Sequence, residues 1–387
     1  MAKILLGVTG SIAAYKACEL TRLLVKAGNE VVPLVTPGAE RFVTRETFLA
    51  LARRPASDDP YPHLERADLL VVAPCSANTL AKLARGEADN LVCEAALAHT
   101  GPVLVAPAMN VRMWAHEATR ANAATLVGRG VELIGPEAGE LAEGEVGEGR
   151  MSEPEAVAAR CAELLERAHA LAGKRVLVSA GGTREPIDAV RFVGNRSSGR
   201  MGVEVAAEAR RRGAEVTLVA ANLGVPPPGG VEVVQAPTAA ELERVVLDRA
   251  AGVDVVVMAA AVADYRPAAS VDGKRAKDEE AWTVELEPTS DVLRALAAAL
   301  PRNGQVRVAF GAEQGDAGLA RKRSMLVDKD VDLVVFNDVS RSDIAFESPD
   351  NAVVLISADG ERAVEKSSKR VIAGAVLDEI ERLLRLR

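Results

Sequence analysis

Two stretches of the chain open on the same alternation of apolar and polar positions. From Lys3, KILLGVTGSIAAYKACELTRLLVKAGNEVVPLVT reads as an apolar strand, a glycine turn and a helix carrying Ala17, Leu20, Leu23 and Leu24 on one face. Gly28 and Asn29 stop that helix before a second strand. From Lys174, KRVLVSAGGTREPIDAVRFVGNRSSGRMGVEVAAEARRRGAEVTLVAA repeats the plan with a longer loop ahead of its helix. Each is a strand-helix-strand opening, so each half of the chain is expected to build its own parallel sheet.

Further strands read at Leu69 to Pro74 and Pro102 to Met109, with a helix from about Ser76 to Ala84 between them. Their continuous apolar character predicts a sheet covered on both faces. The glycine and glutamate segment Pro136 to Met151 reads as too polar and flexible for an element, a loop of the kind that carries function. A helix over Pro154 to Ala172 ends at Gly173, and a new strand starts at Arg175, which sets a domain boundary. The expected domains are residues 1–172 and 173–387. In the second half, strands start at Val231, Val253, Val306 and Val331, and a hairpin-like ending lies around NAVVLIS. The polar stretch Ala263 to Thr283 has few apolar anchors and reads as a flap over a site.

Length agrees with two domains, because 387 residues exceed one ordinary core. The balance of 47 basic against 55 acidic residues, with no long basic block in either half, argues against nucleic acid as a partner. Cys18, Cys75, Cys93 and Cys161 show no metal or disulfide spacing, which fits a reducing compartment. No signal-peptide pattern opens the sequence and no apolar run reaches the ~18 residues of a membrane span. A cytoplasmic protein without a membrane partner is expected.

The turn at Gly10 and Ser11, between a strand and a helix N-terminus, is a generic phosphate cradle. It lacks a spaced GxGxxG, so a single phosphate suits it better than a dinucleotide. PAMNVRMW (Pro107 to Trp114), with VTGSIAAYK and APCSANTLAKLARGEADNLV, resembles the flavin-dependent cysteine decarboxylase family across nearly all of the first half. The resemblance implies an FMN enzyme acting on 4'-phosphopantothenoylcysteine. Gly10, Ser11, Thr36, Ser76 and Asn78 would face FMN, Asn110 would hold the substrate carboxylate, and Met113 would pack the clamp. On the residues alone, Asn110 also reads as the cap of a helix beginning near Val111, and Met113 and Trp114 would be core in most proteins. His63, the one histidine near the family's catalytic position, is assigned as base or orienting group on a three-residue deletion; a loop histidine is the other reading. Glu143 stands where the family carries a proton-donating cysteine, and would serve only if desolvation raised its pKa. Cys75 is a substitute thiol or a structural one.

In the second half, AGGTREP is not GxGxxG, and the strand VTLVAAN ends without the acid that holds an NAD ribose, which argues against a dehydrogenase. GNRSSGRMG, just before a helix, suits phosphate oxygens through backbone N–H groups and the Ser197 and Ser198 hydroxyls. Together with AAAVADYRP, FNDVS, NAVVLI and KSSKRVIA, it resembles bacterial phosphopantothenate-cysteine ligases. The resemblance implies that 4'-phosphopantothenate and CTP form an acyl-cytidylate, with Mg2+ offsetting phosphate charge, and that cysteine's amine displaces CMP. Lys274 matches the nucleotide lysine and Asn195 the asparagine that turns over the acyl-cytidylate. Ala259, Ala260, Ala261, Asp264, Ser290, Asp291, Phe310 and Lys329 match CTP contacts, and Arg191 is a phosphate ligand. A basic contact expected four residues before Lys329 falls on Met325, leaving Lys322 or Arg323 as replacements.

The expected fold is therefore α/β, two Rossmann-like domains, each a mainly parallel sheet flanked by helices; the resemblance implies a homo-oligomer with trimer-based flavin domains and paired ligase domains. The expected function is ligation followed by FMN-dependent decarboxylation to 4'-phosphopantetheine. The alternatives are a ligase whose first half is a flavin-binding oligomerisation scaffold, and, more distantly, a flavin prenyltransferase, against which PAMNVRMW argues.

Overall fold

A computed structural model describes residues 1–55, 61–142, 144–277, 281–313, 315–338 and 350–387. The chain divides into two compact units, Met1–His169 and Ala170–Arg387.

Unit 1 runs β1 (Lys3–Val8), α1 (Ala14–Lys26), β2 (Glu30–Val35), α2 (Pro37–Glu40), α3 (Arg45–Leu51), β3 (Leu69–Cys75), α4 (Ala77–Arg85), α5 (Leu91–Ala98), β4 (Val103–Pro107), α6 (Val111–Ala115), α7 (Glu117–Gly128), β5 (Glu132–Leu133), β6 (Glu137–Glu140), β7 (Val146–Arg150) and α8 (Pro154–Ala168). Its sheet is parallel, in the order β2-β1-β3-β4-β5. Every residue of β3 is buried, as its unbroken apolar run requires of a strand with helices on both faces. Leu20, Leu24 and Phe48 fill one face and Leu80, Val92 and Trp114 the other.

Unit 2 runs β8 (Arg175–Gly181), β9 (Arg184–Pro186), β10 (Phe192–Gly194), α9 (Arg200–Arg211), β11 (Glu215–Ala221), β12 (Glu232–Gln235), α10 (Ala239–Ala250), β13 (Val255–Met258), β14 (Tyr265–Pro267), β15 (Leu286–Pro288), α11 (Val292–Ala299), β16 (Val306–Glu313), α12 (Gly315–Asp328), β17 (Leu333–Asp338), β18 (Asp350–Ser357), β19 (Gly360–Ser368) and α13 (Lys369–Arg385). Its main sheet has the order β12-β11-β8-β13-β16-β17-β18-β19. The strands from β12 to β17 are parallel, and β18 and β19 add the antiparallel hairpin expected around NAVVLIS. Each unit is thus α/β with a mainly parallel sheet flanked by helices.

Two expectations fail. The glycine and glutamate segment is a structured antiparallel hairpin, β6 on β7, because its backbone finds partners. Met109 N–H donates to the Gly149 carbonyl at 3.0 Å, so the loop after β4 holds the hairpin regardless of side-chain polarity. The helix expected to reach Ala172 stops at Ala168. Beyond it, Leu171 is fully buried in the core of unit 2, and its N–H donates to the Arg212 carbonyl at 2.9 Å, which a continuing helix would forbid. Among the described residues no helix is long and apolar enough to cross a membrane.

Candidate active sites

The loops after β1, β2, β3 and β4 leave one edge of the unit 1 sheet, since these strands are parallel and adjacent. They carry Gly10 and Ser11, Thr36, Ser76 and Asn78, and Asn110, so all but one of the described first-half site residues follow a strand's carboxyl end, where open α/β sheets bind ligands. Thr9 joins two of these loops: its hydroxyl donates to the Pro74 carbonyl at 2.8 Å and accepts from Ser76 N–H at 2.9 Å. The Thr36 hydroxyl donates to the Val8 carbonyl at 3.2 Å. Gly10 backs onto Gly38 so closely that a side-chain carbon there would sit 3.2 Å from the Gly38 backbone. Helix α1 starts after Ala13 with no side-chain cap; Ala14 and Lys16 N–H donate to the Ser11 and Ala13 carbonyls at 3.0 Å, and the positive end of the helix dipole follows the Gly10–Ser11 turn. At α4 the Ser76 hydroxyl caps Thr79 N–H at 3.3 Å, and Asn78 is exposed.

Asn110 does cap a helix, as its alternative reading held: Oδ1 accepts from Arg112 N–H at 2.9 Å. Its Nδ2 meanwhile donates to Glu145 Oε2 at 2.9 Å, and Arg112 Nη2 reaches the same carboxylate at 2.7 Å. The clamp and the hairpin are thereby one assembly. Met113 is half exposed and not core, whereas Trp114 is buried, with Nε1 donating to Glu148 at 3.2 Å and Arg120 over its ring.

His63 stands apart from that edge. It lies in a one-turn 3-10 helix, Pro62–Leu64, packed on α5 and β2. It is 5% exposed, Nε2 is 2.9 Å from Glu94 Oε2, and Nδ1 has no hydrogen-bond partner among the described residues. Glu143 lies outside the described residues. Cys75 is fully buried, and burial followed by the neighbouring Cys93 pushes its thiol far above the usual range, so it is an inert core group.

In unit 2 the site residues again gather where β8, β13 and β16 end. Gly181 and Gly199 have positive φ, and a side chain on either would overlap backbone, so the end of β8 and the start of α9 meet directly. Thr183 is fully buried: its N–H donates to Ala261 O at 3.2 Å and its hydroxyl accepts from Ala263 N–H at 2.9 Å. Asn195 Nδ2 donates to Val262 O at 2.9 Å. The stretch from Ala259 through Ala260 and Ala261 to Asp264 is therefore stitched to the loop after β8 and to Asn195. The Ser197 and Ser198 hydroxyls accept from Gly199 N–H at 3.3 Å and Arg200 N–H at 3.5 Å, an arrangement that local capping explains.

The Lys329 ammonium lies 3.0 Å from Asp291 Oδ2, while Asp291 Oδ1 caps α11 through Leu293 and Arg294 N–H. Burial alone would raise the Asp291 pKa; the Lys329 hydrogen bond and charge outweigh it and hold the carboxyl below its ordinary 3.8. The Ser290 hydroxyl donates to Glu243 at 3.0 Å, and Phe310 is partly buried within β16. Of the replacements left open by sequence, the structure favours one. Met325 is buried in the core and Arg323 is paired with Glu361. Lys322 runs its stem over Gly311, next to Phe310; its side chain is 16% exposed and, among the described residues, it pairs with Glu313 at 3.8 Å. Burial lowers the Lys322 pKa, and repulsion from Lys329 adds to this.

The flap is less free than its composition suggests. β14 pairs with β15, Val271 N–H donates to Ile187 O at 2.9 Å, and Ala189 N–H donates to Gly273 O at 3.1 Å. Lys274 is exposed, without an ion pair among the described residues. Arg191 is held by Asp188 at 2.9 Å and lies 5.1 Å from the centre of the Trp282 ring. Among the described residues no cluster of three or more His, Cys, Asp or Glu side chains forms a metal cage. Thr183, Asp188 and Glu94 were not singled out by sequence, where nothing distinguishes them from ordinary turn or helix residues.

Two family models match the chain: a flavoprotein domain over residues 1–166 and a DNA/pantothenate metabolism flavoprotein C-terminal domain over residues 171–384. The coenzyme A biosynthesis bifunctional protein CoaBC of Mycobacterium tuberculosis is 44% identical over 401 residues, covering 98% of this chain and 96% of that protein. The protein of the same name from Vibrio cholerae is 40% identical, covering 97% and 96%. Among solved structures, the C-terminal domain of a coenzyme A biosynthesis bifunctional protein CoaBC matches at 34% identity and a TM-score of 0.48, over 57% of this chain and 100% of that one.

Proposed function

The chain belongs to the family of bifunctional coenzyme A biosynthesis proteins, and from that premise we propose that unit 2 ligates 4'-phosphopantothenate to cysteine with CTP and unit 1 decarboxylates the product with FMN. The observation that carries this reading is the joining of Asn195, Thr183 and Ala259–Asp264 at the end of the unit 2 sheet, with Lys322 and Lys329 nearby. Two lysines, one scarcely solvated and weakly partnered, suit a triphosphate, whose charge restores what desolvation removes. A substrate carboxylate can then approach the α-phosphate, with Lys274 adding charge from the flap. In this reading Asn195 hydrogen-bonds the acyl-cytidylate carbonyl while cysteine's amine displaces CMP, and Arg191 takes the substrate phosphate. Mg2+ would come bound to the nucleotide phosphates and offset their charge.

FMN fits unit 1 on the Gly10–Gly38 approach, the uncapped α1 and the exposed Ile12 and Met113 beside the polar loops. When bound, it supplies reversible two-electron oxidation of the substrate. The protein's own residues bind and orient: Gly10, Ser11, Thr36, Ser76 and Asn78 hold the cofactor, and Asn110, positioned by Glu145, holds the leaving carboxylate. His63, held by Glu94 apart from this edge, takes no part in that cradle, and the chain works in the cytoplasm as a homo-oligomer.

Mass spectrometry of the product formed from phosphopantothenate, cysteine, CTP and Mg2+ tests the whole reading. A mass at 4'-phosphopantetheine is expected. Accumulation of the amide alone would support the scaffold alternative, and a product two hydrogens short would trace to Glu143 in place of the cysteine. Absence of any CTP-dependent amide would refute the ligase.

A further inference from the structure

We infer that Asp188 is a positioning residue of the ligase, a latch whose single carboxylate ties the Arg191 loop to the flap and so sets where Lys274 stands. The side chain of Asp188 is fully buried. Its Oδ1 accepts from Val190 N–H at 2.8 Å and Arg191 N–H at 2.7 Å, which shapes the turn. Its Oδ2 accepts from Arg191 Nη1 at 2.9 Å and from Arg275 N–H at 3.4 Å. One oxygen makes the turn and the other makes the latch.

The second set of contacts comes from the flap itself. The Ala189–Gly273 backbone bond fixes the peptide unit before Lys274 and the Arg275 N–H bond to Asp188 fixes the one after it, while Val271–Ile187 ties the flap two residues further back. Arg191 Nη2 donates to the Arg275 carbonyl at 3.5 Å, and both guanidinium groups lie over Trp282, at 5.1 and 4.7 Å from its ring centre. A phosphate binding to Arg191 therefore meets a guanidinium whose partner, the Asp188 carboxylate, also holds the flap segment bearing Lys274. Phosphopantothenate binding and nucleotide binding become coupled through one side chain.

The test separates the two oxygens. In Asp188→Asn the amide oxygen can still accept from Val190 and Arg191 N–H, but the amide nitrogen faces two donors, so the turn persists and the latch is lost. The expected result is a KM for CTP raised about tenfold, the scale of one lost charge-assisted hydrogen bond, with CO2 release by unit 1 unchanged. Trypsin should also cut faster at Lys274, Arg275 and Lys277, a readout independent of turnover. The inference rests on Lys274 being a nucleotide contact, so Lys274→Gln and the double variant complete a cycle. If Asp188 acts through Lys274, the double variant is no worse than Lys274→Gln alone. An Asp188→Asn effect that multiplies with that of Lys274→Gln, or an unchanged KM and unchanged cleavage, overturns the latch and leaves Lys274 standing. A Lys274→Gln variant with unaltered KM for CTP overturns the role of Lys274 instead, and the latch with it. Should Asp188→Asn not fold, Asp188→Ser keeps a hydroxyl for the turn and allows the same comparison.

Discussion

Replacing Thr183 with valine changes the shape of the side chain little and removes one acceptor at the centre of the unit 2 site. Thr183 is fully buried, and its hydroxyl is the acceptor for Ala263 N–H at 2.9 Å. A buried N–H left without an acceptor costs roughly 1–3 kcal/mol. Thr183→Ser restores the acceptor and loses one methyl group, about 1 kcal/mol. Valine should therefore be the more damaging change although it is the more apolar one. Urea unfolding followed by tryptophan emission in a Trp114→Phe background reads unit 2 alone, because Trp282 is then the only tryptophan. The valine variant should lose about 1–3 kcal/mol and the serine variant about 1. Valine equal to the parent, or more stable than serine, would show that the Thr183–Ala263 bond does not fix the start of the flap.

Lys322→Met should raise the KM for CTP by about 10–100-fold, the range of a lost hydrogen bond to a charged group. Arg323→Met, whose partner is Glu361, should leave it unchanged; steady-state pyrophosphate release decides between them. For Asp291 the folded pKa lies below the ordinary 3.8, so its charge stabilises the fold above that value and the stabilisation is lost as pH falls through the folded pKa. The stability gap between the parent and Asp291→Asn, which keeps a capping side chain, should be present at neutral pH and shrink below about pH 4; urea titrations across pH measure it.

What the sequence revealed and what it hid differ in range along the chain. The buried strands announce themselves by unbroken apolar runs such as that of β3, and the loops after them by small residues such as Gly10, Ser76 and Gly181. These are local properties, and they placed most site residues at the carboxyl edges of the two sheets. The hairpin of β6 and β7 was invisible because its order comes from the backbone of Met109, about forty positions from Gly149, and not from its own glycines and glutamates. Choosing Lys322 over Arg323 required knowing which face of α12 meets Gly311. Asp188 was an ordinary turn residue until its second oxygen was seen to reach Arg275, and His63 gave no hint of Glu94. In each case the decisive partner is remote in sequence.

Leu171 has a practical bearing on how the chain can be divided. It follows the last helix of unit 1, yet its side chain fills the core of unit 2 and its N–H is bonded there to Arg212. A ligase fragment begun at Gly173, where the sequence pattern invites a cut, would leave a leucine-sized hole, a defect of roughly 2–5 kcal/mol. A fragment begun at Ala170 would carry its own plug. The dispensable joint is thus confined to His169 and Ala170, and any fusion, split or graft of these two enzymes has that much room to work in.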